Sequence, residues 1–256
     1  MMPSLLSADE PPAFRLEREQ APSAWFIVCD HAGALIPRRL GSLGLCAADL
    51  ERHIAWDIGA AQVAERLAER LNACLIMQTY SRLVIDCNRP IGSAGSIVAL
   101  SESTRIPGNE GLRAADALLR EREVFRPYHD RIRELLDARE RRAQPTRLVS
   151  IHSFTPVFLG QARPWHAAVL YNRDARLARA LLQALRRDEA LLIGENQPYA
   201  VSDATDYAIP EYGEKRGITH VEMEIRQDLI AEERGQQAWA ERLAEGLTEA
   251  CASIAA

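Results

Sequence analysis

The chain has no apolar run approaching the roughly 20 residues that a membrane-crossing helix needs, so no spanning segment and no membrane partner are expected. Its start, Met1 to Pro12, lacks the basic opening and apolar middle of a signal peptide, and residues 1–23 read as a loose N-terminal leader. Cysteine is sparse. The five residues are scattered, odd in number and form no Cys-x-x-Cys pair, which argues for reduced thiols and a cytoplasmic location. Cys29, Cys74 and Cys87 lie inside apolar runs and read as small core residues; for Cys29 an inert thiol is favoured over a nucleophile. Basic excess is also missing: 31 Lys and Arg against 36 Asp and Glu give a net charge of −5, so general affinity for nucleic acid is not expected. Repeats, low-complexity tracts and convincing linkers are absent. With 47% hydrophobic residues, residues 24–256 fit a single α/β domain.

What is present alternates between strand and helix patterns. Ala24 to Asp30 is an apolar run suited to a strand covered on both faces, and His31-Ala32-Gly33 follows it directly. Ala47 to Leu71 carries helical spacing. The runs Ala73 to Tyr80 and Arg82 to Cys87 are too close for a crossover helix and are expected to pair antiparallel. Glu110 to Arg142 reads as a long helix with a break or kink at Pro127. Arg147 to Ile151 is a strand running into His152-Ser153. Trp165 to Tyr171 and Ala190 to Ile193 are further strands, and Ala175 to Arg187 a helix. A short helix around Glu211 to Lys215, a last strand Thr219 to Ile225 and a closing helix Ala231 to Ile254 complete the chain. This order predicts a three-layer α/β/α sandwich around a mixed, mostly parallel sheet. Ligands bind outside the carboxyl ends of strands in such sheets, so His31, His152, Asn172, Glu195, Asn196 and Glu224 are expected to share one edge.

Two strands that each end in histidine point to a metal. A hydrolytic zinc site takes three protein ligands and leaves a position for water, and no His-x-x-Glu helix motif accompanies either histidine. Asp57, an acid in the otherwise apolar stretch His53 to Gly59, is the preferred third ligand, because a buried carboxylate needs a strong partner. Asp30 competes for that place or orients an imidazole from behind. In the last strand His220, Glu222, Glu224 and Arg226 alternate with apolar residues. Glu224, nearer the strand end than Glu222, is the candidate general base. Arg82 and Arg89 are candidates for gripping a substrate carboxylate, with Asn172 and Asn196 adding hydrogen bonds. His129 is a candidate proton shuttle or third imidazole, although helix packing suits it better; His53, His166 and Trp56 read as structural.

Cys29 to Gly33 with Ile36-Pro37, then His53 to Gly59, Ser81 to Pro90, Arg126 to His129, Ile151 to Ser153 and Asn196 to Tyr199 resemble the N-formylglutamate amidohydrolase family over about residues 24 to 230. The resemblance implies a phosphorylase/hydrolase-like fold similar to the zinc exopeptidases. It also implies metal-dependent hydrolysis of a small N-acyl amino acid, with zinc or another divalent metal as cofactor and a place in amino-acid metabolism. It supports His31 and His152 as ligands, Asp57 as a functional acid and Glu224 over Glu222. The Asn-Arg pair that follows this acid in the family is replaced by Ile225-Arg226-Gln227, as in a divergent branch. The competing readings are another zinc aminoacylase, a carboxypeptidase, a cell-wall peptide amidase, or a non-catalytic ligand-binding module on the same fold.

Overall fold

The computed structural model describes residues 4–255 and has three layers, helices covering both faces of a seven-stranded sheet. Chain order begins with β1 (Phe14–Glu17), β2 (Trp25–Cys29), a one-turn helix α1 (Ala47–Leu50), α2 (Ala60–Leu71) and β3 (Cys74–Gln78). A small hairpin of β4 (Leu100–Ser101) and β5 (Thr104–Arg105) follows, then α3 (Ala114–Arg120) and α4 (Arg126–Arg141). Next come β6 (Arg147–Phe154), a second small hairpin of β7 (Val157–Phe158) and β8 (Gln161–Ala162), and β9 (Ala167–Leu170). The chain ends through α5 (Arg176–Leu185), β10 (Ile193–Glu195), β11 (Thr219–Arg226) and α6 (Glu233–Ala255).

The main sheet has the order β1-β3-β2-β6-β11-β9-β10. Strands β3, β2, β6 and β11 are mutually parallel, β1 runs antiparallel to β3, and β9 runs antiparallel to β11 with β10 parallel to β9. The sheet is therefore mixed and mostly parallel, as the alternation predicts. Side chains of alternate strand positions divide into two cores. Ile27, Val149, Ile151, Val221 and Met223 face α2, α5 and α6. Phe26, Val28, Ile76, Leu148 and Leu170 face α4 and the turn Ile209–Glu214. Among the described residues no helix is long and apolar enough to cross a membrane. All five cysteines are free, with Cys29, Cys74 and Cys87 buried.

Several expectations are corrected. Residues 4–23 are not loose: β1 forms the sheet edge and Leu5, Ala13 and Ala21 are buried, while Met1 to Pro3 lie outside the described residues. The antiparallel partner of β3 is thus β1, and Arg82 to Cys87 is a buried run of turns rather than a strand. It holds its shape through side chains: Ser81 Oγ donates to Ala55 O at 2.6 Å and Asp86 Oδ1 accepts from Asn88 N at 2.9 Å. Pro127 does not break its helix. Helical backbone runs without a gap from α3 through the π-turn Glu121–Phe125 into α4, and the departure from regular helix lies in that wider turn just before the proline, whose missing N–H removes one helical bond. The expected helix Ala47 to Leu71 is interrupted at residues 51–59, which frees Asp57 to turn inward.

That interruption depends on Gly59, which caps α2 at φ 78° and lies against the carbonyl of Ile230, where a Cβ would come within 2.1 Å of the oxygen. An alanine there is both strained and overpacked. Gly59→Ala is expected to lower unfolding stability by about 2 to 4 kcal/mol, read as a shifted denaturant midpoint at constant slope. An unchanged midpoint would show that this close approach does not constrain the chain.

Candidate active site

The parallel strands deliver the site. His31 follows β2, His152 lies in β6 beside its end, and Glu224 pairs with His152 across the β6–β11 ladder. Asp57 is fixed by its own backbone, whose N–H donates to His31 O at 3.0 Å. His31, Asp57, His152, Glu222 and Glu224 are all nearly inaccessible to solvent overall, yet all line one cavity of about 340 Å³.

Three acceptor-type atoms converge there. His31 Nδ1 and His152 Nδ1 lie 3.2 Å apart, and Asp57 Oδ2 lies 2.9 Å from the second and 3.4 Å from the first. Each imidazole has its other nitrogen engaged. His31 Nε2 lies 2.7 Å from Asp86 Oδ1, which assigns the ring proton to Nε2. His152 Nε2 lies 3.0 Å from Ser150 Oγ, with Asp30 Oδ2 at 3.6 Å. The Asp86 contact leaves the His31 Nδ1 lone pair facing the cavity, and the 2.9 Å approach of His152 Nδ1 to Asp57 Oδ2 is bridged by a proton that a divalent ion at the same point would replace. Tetrahedral ligands about 2.0 to 2.1 Å from zinc lie about 3.3 Å from one another, close to the separations found here. His31, Asp57 and His152 therefore fit a divalent metal, and Asp86, Ser150 and Asp30 fit the role of outer partners.

Electrostatics agree. Burial works against charge on Asp57, but the imidazoles of His31 and His152 prevail and hold it far below the usual carboxylate range. Burial likewise opposes charge on Asp86, and Arg82 and His31 pull it well down. Arg82 spans both acids, 2.8 Å from Asp86 Oδ2 and 3.3 Å from Asp57 Oδ1, and braces the ligand set. The last strand differs. Burial pushes Glu224 up to about 7 against the pull of His152, and Glu222 up to about 8. Glu222 Oε2, Glu224 Oε2 and Asp30 Oδ2 are buried without a hydrogen-bond partner. Burial raises the Cys29 thiol far above its ordinary value, consistent with an inert core residue.

The structure thus gathers His31, Asp57, His152, Arg82, Arg89, Glu222 and Glu224 around one cavity and places Asp30 directly behind His152. It does not gather Asn172, Asn196 or His129. Because β9 and β10 run against β11, the strand ends that carry Asn172 and Asn196 face away from the edge that carries His152 and Glu224. Asn172 instead bonds Asp203 and Glu214, and Asn196 Oδ1 accepts from Tyr171 N at 3.0 Å. His129 is buried between Tyr212 Oη at 2.7 Å and Cys87 O at 2.9 Å, and burial lowers it to about 3. It packs a helix. Sequence reasoning missed Asp86, Arg163 and the cavity position of His53, whose Nε2 lies 3.3 Å from Glu102 Oε2. Asp86 carried a readable signal, an acid inside the apolar run Leu83 to Cys87, the same argument that selects Asp57.

The model of the N-formylglutamate amidohydrolase family matches residues 23–231 of the chain. Among solved structures, a gene product of Agrobacterium tumefaciens is 38% identical, covers 98% of this chain and 100% of its own, and superimposes with a TM-score of 0.95. An N-formylglutamate amidohydrolase from Ralstonia eutropha JMP134 is 16% identical over 96% of this chain and 99% of its own, with a TM-score of 0.71, a likeness of fold. No curated protein matches the chain.

Zinc is expected to bind at one equivalent, and Asp86→Asn to weaken it by about 10- to 100-fold in competition with a chromogenic chelator. Undiminished one-to-one binding by an Asp57→Ala, His152→Ala double variant would place the ion elsewhere.

Proposed function

The chain belongs to the N-formylglutamate amidohydrolase family, and from that premise we propose that it is a metal-dependent enzyme cleaving the amide of a small N-acyl amino acid such as N-formylglutamate. The observation that carries this reading is the meeting of His31 Nδ1, His152 Nδ1 and Asp57 Oδ2 beside an unpartnered glutamate. These three residues would hold the metal, which supplies Lewis-acid polarisation and a lowered pKa for water.

The remaining chemistry falls to the chain. Asp86 keeps the His31 proton on Nε2 and so leaves its Nδ1 available, and Ser150 Oγ beside His152 Nε2 would accept the proton of that ring when a metal takes its Nδ1. Glu224 takes the proton from the attacking water and returns it to the amine nitrogen as the C–N bond breaks. Its position near 7 lets it both accept and donate around neutral pH. Of the two arginines nominated for the substrate, Arg82 is occupied by Asp57 and Asp86, whereas Arg89 reaches only Asp206 at 3.7 Å as an ion-pair partner. Arg89 is therefore the better candidate for a substrate carboxylate. A cavity of about 340 Å³ suits an acylated amino acid rather than a long peptide strand.

Glu224→Gln is expected to lower kcat by about 100- to 10,000-fold with zinc content unchanged, measured by formate release from N-formyl amino acids. Chelation should abolish the same activity and added zinc restore it. Normal turnover by Glu224→Gln, or activity indifferent to chelation, would overturn the proposal.

A further inference from the structure

The cavity contains a third arginine. Arg163 leaves the β7–β8 hairpin at the start of the segment leading into β9, and it lines the cavity with His31, His152 and Glu224. The reversed direction of β9 explains its position. Ala167 and Ala168 pair with Ile225 and Glu224, and Arg226 N donates to His166 O at 2.9 Å, so the residues before β9 arrive at the metal-bearing edge.

Arg163 differs from its two neighbours in what it touches. Arg82 is bound to two carboxylates, and Arg89 donates to Asn88 O and faces Asp206. The guanidinium of Arg163 instead lies among aromatic rings, 4.6 Å from the Phe158 centroid, 5.4 Å from Tyr199 and 5.9 Å from Phe154. Among the described residues it has no ion-pair or side-chain hydrogen-bond partner. Aromatic rings around a guanidinium attract its charge and accept none of its N–H donors in conventional hydrogen bonds. A half-buried cation with five unused donors, lining a cavity, is built for a planar anion.

We propose that Arg163 receives a carboxylate of the substrate, so that the chain just after the β7–β8 hairpin takes part in substrate selection alongside Arg89. This deepens the amidohydrolase reading and rests on it for the identity of the substrate, but not for the binding itself. The carboxylate has two sources in an acidic amino acid, the α-carboxyl group and the side chain.

The test reads equilibrium binding to the full-length, zinc-loaded protein. The probes are the N-methanesulfonyl derivatives of L-glutamate, L-norleucine and L-norleucinamide, which carry two, one and no carboxylates and have a sulfonyl group in place of the scissile N-acyl carbonyl. Arg163→Met should weaken the glutamate probe by about 10- to 100-fold and leave the norleucinamide probe unchanged. Equal weakening of the norleucine probe identifies the α-carboxyl group as the partner; an unchanged norleucine probe identifies the side chain. Arg163→Lys should recover part of the loss. A hairpin staple without a recognition role would instead weaken all three probes alike. That result, or no change in any probe, or no binding of the carboxylate probes to the wild type, overturns the assignment. Carboxylate-selective binding without turnover of N-formyl compounds would sink the hydrolase reading alone.

Discussion

The structure depends on a buried meeting of like-natured atoms. Two imidazole nitrogens and a carboxylate oxygen lie 2.9 to 3.4 Å apart in a place that water hardly reaches. Left alone, such a cluster would move apart or gather a proton, since buried lone pairs without donors are costly. What keeps it together comes from behind. Asp86 holds His31, Ser150 holds His152 with Asp30 nearby, and Arg82 neutralises Asp57 and Asp86 at once. The chain thus fixes the direction of three donors before any ion arrives, and the desolvation of the acids is offset by a guanidinium and by imidazoles rather than by solvent.

The fold serves that cluster with little freedom. His31 and His152 are positioned by adjacent parallel strands, so their separation follows from the spacing of neighbouring strands rather than from a loop. Asp57 comes from an interrupted helix, and the interruption carries its own constraint in the close approach of Gly59 to Ile230. Asp86 and Arg82 come from a run of buried turns whose backbone groups are satisfied by Ser81, Ser96, Asn109 and Arg120. Each contribution is local, and β2 with β6 brings them into register.

Much of this is legible in the sequence because the signals are local. A continuous apolar run followed by histidine marks His31 and His152, and an acid in an apolar stretch marks Asp57. Period-two alternation marks Glu222 and Glu224. What escapes is the direction of strands. Nothing in Trp165 to Tyr171 records that the strand runs against β11, so Asn172 and Asn196 are assigned to an edge they do not share. The turn run Arg82 to Cys87 looks like a strand because it is as apolar and as buried as one, and only its pairing distinguishes it. The edge strand β1 is missed for the opposite reason, since its four residues are half exposed and carry a weak pattern.

The reversal of β9 also divides the cavity by origin. In a sheet with every strand parallel, all loops at the site edge would follow strands. Here the half that carries His31 and His152 follows that rule, with groups from β2 and β6, while one further wall is supplied by chain that precedes a strand. Chain before an antiparallel strand can be a hairpin that projects outward, and this one carries Phe158 and Arg163 over a site whose ligands are otherwise buried. The two halves answer to different constraints. His31 and His152 are held by hydrogen bonds to buried Asp86 and Ser150, whereas the hairpin and the residue after it touch the cavity through aromatic rings and one cation. Variation of the hairpin would therefore leave the His31, Asp57 and His152 cluster undisturbed, because the two are built on separate segments.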